Sequence, residues 1–163
     1  MRRRPDAGSA LMLAPAAVLV LIVLGAIAVD SAVVVLGQRE LSTAATAAAN
    51  DAAAAALSDA GFYGHDGAVD IDQTRASQVV NDVLEQADLR GVHRDGSPDV
   101  EVVGPGQVCV RLTGHVDAIF ARAVPGVPRT HTVHGRATAT AVRGAADAAG
   151  TPTTEPLPPG GDC

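Results

Sequence analysis

The hydrophobic pattern along the chain is lopsided. Leu11 to Val29 (LMLAPAAVLVLIVLGAIAV) holds no charged or polar side chain. As a helix, about 19 residues rising ~1.5 Å each nearly cross a ~30 Å hydrocarbon core, so the run predicts a transmembrane helix. Pro15 falls near its start, where a missing amide donor costs least. Asp30 marks the exit. Were the span shifted toward Val33 to Leu36, that carboxylate would need a partner inside the membrane. Beyond it, Ser31 to Leu57 lacks proline and is rich in alanine, the best helix former, so the helix should continue into water as a stalk. Leu41, Ala45, Ala48, Ala52 and Ala55 recur at spacings of four and three. They form a heptad-like stripe on which another helix, a sheet or a second copy of the chain would approach closely.

The pattern changes after Gly61. GFYGHDG is a turn-rich break, and Asp72 is a candidate N-cap for a helix reaching about Ala87. Ala76, Val79, Val80, Val83, Leu84 and Ala87 give that helix a one-sided apolar stripe. Three strands are then predicted, over Asp99 to Val103, Gln107 to Val116 and about Thr130 to Arg143, the first two joined as a hairpin by Gly104-Pro105-Gly106. In the second, Val108, Val110, Leu112 and Val116 share one face, and Cys109, Arg111, Thr113 and His115 the other. In the third, Val133, Gly135, Ala137, Ala139 and Ala141 oppose Thr132, His134, Arg136, Thr138 and Thr140. Such alternation suits a one-sided antiparallel sheet, and an Ala/Gly face suits close packing of the stalk helix or of the helix near Val79. Between these strands, DAIFARAVPGVP reads as one or two helical turns stopped by Pro125-Gly126.

The expected fold class is therefore α+β: a long N-terminal transmembrane and stalk helix, then a small antiparallel sheet with one packed helix. The domain organisation is a basic N-terminus over 1–10, a transmembrane helix over 11–30, an Ala-rich stalk over 31–60, an α+β head over 61–143 and a Pro/Gly/Thr-rich disordered tail over 144–163.

Charge orients this arrangement. Arg2, Arg3 and Arg4 precede the span and acidic residues dominate after it, which places the N-terminus in the cytoplasm and the head outside. The acidic head excludes nucleic acid bound through a basic face. The alternative is a cleaved signal peptide, because Ala26-Ile27-Ala28 has the small-x-small pattern of a processing site. Cleavage there would release a secreted small binding domain. Cys109 and Cys163, the only cysteines, match no zinc spacing and allow a single disulfide in an exported domain.

Chemistry is sparse. His131 and His134, three apart on a strand, point to opposite faces, so they cannot chelate one ion. His115, His134 and Cys109 would share the polar sheet face only if the strand register allows it. There is no nucleophile motif, phosphate loop or carboxylate pair, as a wall-associated hydrolase would need. The expectation is a non-enzyme without metal or cofactor.

The N-terminal elements occur in a recognisable order: RRRPDAGSA, the span ending in AVDSAVV, GQREL, then AATAAANDAAAAAL. In this order the chain resembles the TadE/TadG-like family of pilus-assembly proteins from tight-adherence (Flp) secretion systems, of the actinobacterial type. The PG turn followed by alternating Ala and Thr resembles the family's C-terminal half. The absence of lysine and the wealth of Ala, Gly, Val and Arg fit a GC-rich bacterial genome. The resemblance implies a pilin-like architecture and other pilus or secretion-system proteins as partners. Pilin-like members are cut after a glycine, with glutamate at the fifth mature position. Five residues after Gly8 stands Leu13, which points to an accessory or minor component.

Overall fold

The computed structural model describes residues 7–56, 70–104 and 106–141. The basic N-terminus with Arg2, Arg3 and Arg4, the GFYGHDG break, the tail and Cys163 lie outside them. The fold is α+β: a long apolar N-terminal helix, a second helix and a small antiparallel sheet of four strands.

Helix α1 runs unbroken from Ala7 to Ala55, 49 residues, or roughly 70 Å at 1.5 Å per residue. Because it begins at Ala7, Pro15 lies inside the helix and not at its start, which corrects the expected placement. Its two halves live in different surroundings. From Leu13 to Leu36 no residue is buried, and Gly37 is the first that is. From there on one face disappears into the head: Leu41, Ala44, Ala45, Ala48, Ala49, Ala52 and Ala53 are all buried.

Helix α2, Gln73–Gln86, starts where sequence places it. Asp72 Oδ1 accepts the Thr74 and Arg75 N–H groups at 2.8 and 3.1 Å, satisfying two of the donors a helix start leaves unpaired. Ala76, Val80 and Leu84 form its buried stripe. The Asp72 N–H donates to the Ala56 carbonyl at 3.0 Å, so α2 begins beside the C-terminal end of α1.

The strands are β1 Val92–Arg94, β2 Asp99–Gly104, β3 Gln107–Asp117 and β4 Thr130–Thr140. Strand β3 is central. β4 pairs along its whole length on one side, and on the other β2 and β1 pair with its first and last parts in turn. The predicted hairpin and face assignments hold. β1 adds a strand that sequence did not suggest, and β4 ends at Thr140, with Arg143 outside the described residues.

Both helices cover the face carrying Val108, Val110, Leu112, Val116 and Val133. Gly135 decides how close α1 can come. A Cβ there would lie 2.5 Å from the backbone carbonyl of Leu41 and 2.9 Å from the Ser42 nitrogen, so helix and strand meet backbone to backbone. At Gly37 an added Cβ would collide with the Val116 side chain. The core is therefore close-packed but thin, and Leu41 and Leu112 are among the largest side chains fully buried in it.

At its free edge β2 is tied to α2 by Gln73. The side-chain amide donates to the Val100 carbonyl at 2.6 Å and accepts the Val102 N–H at 3.0 Å. This amide does for the edge what a neighbouring strand would do.

Candidate functional site

The site that joins the two halves of the molecule is built around Asp30, the first charged residue after the apolar run. Its Oδ1 accepts the Ile119 and Phe120 N–H groups at 2.8 and 3.0 Å, and its Oδ2 accepts the Ala121 N–H at 2.8 Å. These donors open the 3-10 turn Ala121–Ala123, whose own N-cap residue, Phe120, provides no side-chain cap. Asp30 thus caps a turn about 90 residues away in sequence. Three backbone donors on one carboxylate satisfy the lone pairs that Asp30 would otherwise leave unpaired beside an apolar run. The interaction fixes the connection between β3 and β4 against α1 at the point where the apolar run ends.

That connection, Ala118–Arg129, is closed on itself. The Ala118 N–H donates to the Arg129 carbonyl at 2.9 Å, and Arg122 ties back to the Ala118 carbonyl at 2.9 Å and to Asp117 at 3.1 Å. Along α1, Ser31 spends its hydroxyl on the Ile27 carbonyl at 2.8 Å, so the helix leaves the apolar run without an unpaired hydroxyl. Of the two residues that would flank a processing site, Ala28 is exposed and Ala26 half-buried, both within unbroken helix.

The expected packing stripe is mostly present, with one correction. Leu41, Ala45, Ala48 and Ala52 are buried against the head, whereas Ala55 is exposed and Ala49, Ala53 and Ala56 complete the face. The stripe meets the chain's own sheet and α2. A second copy or a partner would have to use other surfaces.

The outer sheet face gathers the polar residues as the alternation predicts. Arg111 bridges Asp99 at 2.8 Å and Glu101 at 3.2 Å across the β2–β3 pair. His93, opposite His115 in register, stacks on it with ring centroids 5.2 Å apart, and His115 Nδ1 lies 2.8 Å from Asp95. His134 pairs with Thr113 at 3.4 Å, and His131 faces the other way, toward α1. His93 and Asp95 were missed because the short strand that positions them has too few residues to alternate. Among the described residues no three His, Cys, Asp or Glu side chains are placed to share a metal ion. Cys109 is fully buried and disulfide-bonded, and the chain's other cysteine, Cys163, lies outside the described residues.

No family model, curated protein or solved structure matches the chain. The geometry offers a helix long and apolar enough to cross a membrane, whose most apolar stretch is not buried, joined to a head in which, among the described residues, no three His, Cys, Asp or Glu side chains could hold a metal ion.

Proposed function

We propose that the chain is a membrane-anchored, non-catalytic accessory or minor pilin-like component of a Tad/Flp-type pilus or secretion apparatus, with its N-terminus cytoplasmic and its head extracytoplasmic. The observation that carries this reading is the division of labour within α1. One half is apolar and bare, and the other half is the spine on which the head is packed. An apolar surface of that length left in water would cost about 25 cal/mol per Å², so a bilayer is its natural solvent. The Arg-rich start supports the orientation, and the order of N-terminal elements supports the family.

Because the Ala stripe is occupied within the chain, the surfaces left to partners of the head include the polar back of α1, the outer sheet face and the outer edge of β4, which among the described residues pairs with β3 alone. A photo-crosslinking residue at exposed Ala47 or Asp51, in the native host, should yield adducts with a pilus subunit or platform protein encoded beside this gene. Recovery of monomer only, from both positions and from the β4 edge, would remove the pilus assignment.

A second reading has an observation of its own. The first buried residue is Gly37, so release after Ala28 deletes nothing from the core and would leave a secreted small binding domain intact. The N-terminus of the native protein separates the two readings.

A further inference from the structure

We propose that the Ala118–Arg129 connection is a second membrane contact: Ile119, Phe120, Val124 and Val127 insert into the interfacial layer of the leaflet from which α1 emerges. The proposal rests on reading the first half of α1 as a membrane span. Three observations lead to it.

The first is where apolar surface is exposed. Outside α1, the exposed large hydrophobic residues of the described chain are Val103 and these four, with Ile119 54 % and Phe120 47 % accessible. A head whose core is mostly Ala and Val leaves Phe120, an aromatic, in the open, at the end of the sheet opposite Val103. Burial of that cluster is worth about 25 cal/mol per Å².

The second is position. Asp30 holds the Ile119, Phe120 and Ala121 amides, which places the connection at the mouth of the apolar run. Within Leu13–Val29 only Ala26, one turn before Asp30 on the same side of α1, is half-buried, and the rest are exposed. The exposed apolar run of the helix and the exposed apolar residues of the connection therefore meet at Asp30, and the occupant of the first bears on that of the second.

The third is the state of the backbone. A segment entering a layer poor in water must satisfy its own amides. Each of the four exposed apolar residues does so: Ile119 and Phe120 through Asp30, Val124 through the Ala121 carbonyl at 3.1 Å and Val127 through the Val124 carbonyl at 3.4 Å. Arg122, between Phe120 and Val124, is held by the Ala118 carbonyl and Asp117, and exposed Arg129 follows the cluster, where a guanidinium on a long apolar stem suits the headgroup layer.

The chain has no tryptophan, so a single substitution gives a clean reporter. Full-length Phe120→Trp is reconstituted into phosphatidylethanolamine/phosphatidylglycerol vesicles containing lipid brominated on the acyl chain, alongside Leu21→Trp in the span and Val103→Trp at the far hairpin. The expected result is short-wavelength emission and quenching for Phe120→Trp and Leu21→Trp, with Val103→Trp unquenched. If Leu21→Trp is quenched while Phe120→Trp behaves like Val103→Trp, the second contact is refuted and the span stands. If Leu21→Trp is itself unquenched, the span fails and takes this inference with it.

Discussion

Single residues decide how the halves of this molecule meet. At Gly135 two effects oppose each other, because alanine in a strand normally gains roughly 0.5–1 kcal/mol over glycine. Here the new methyl would stand 2.5 Å from the Leu41 backbone, which cannot rotate away as a side chain can. Overpacking of this kind costs about 1–3 kcal/mol and should win. Gly135→Ala is therefore expected to lower head stability in denaturant titrations, and unchanged or raised stability would show that the helix is not so close. Asp30 is tested through the amides it caps. Exchange of the Ile119, Phe120 and Ala121 amides should be slow in the wild type and fast in Asp30→Asn at neutral pH. Equal protection in both proteins would contradict the capping role. The sequence made Asp30 legible as an exit marker and Gly135 as part of a small-residue face. It gave no sign that the Asp30 carboxylate caps a turn some 90 residues on, because nothing local encodes that distance.

At the scale of elements, periodicity was legible wherever an element is long enough to show it. The 3.6-residue stripe of α2 and the alternation of β3 and β4 were readable, whereas β1, with three residues, was not. The Ala stripe of α1 was nearly right, and its error has a cause. A strict heptad drifts by about 20° per repeat against a straight α-helix. Meanwhile the partner changes along α1, from the sheet at Gly37 and Leu41 to α2 as well near Ala56, so the buried face turns away from Ala55. The Asp72 cap is the most local of these devices. Asp72→Ala should cost about 1 kcal/mol, as caps of this kind do. That loss should appear in the unfolding free energy, and a change within error would mean that the Thr74 and Arg75 amides find water equally well.

At the scale of the molecule, the described residues form one long helix, apolar and exposed in its first half, with a thin head packed on its second half. Stability in the head comes from close approach of Ala and Gly faces and a β-edge closed by Gln73, with few large side chains buried. Function follows from where the bare half goes. The most direct test is to wash native membranes at alkaline pH and determine the N-terminal sequence and intact mass of the protein. The expected result is a chain that stays with the membrane pellet and retains the residues before Val29. A soluble chain beginning at Val29 would overturn the anchor.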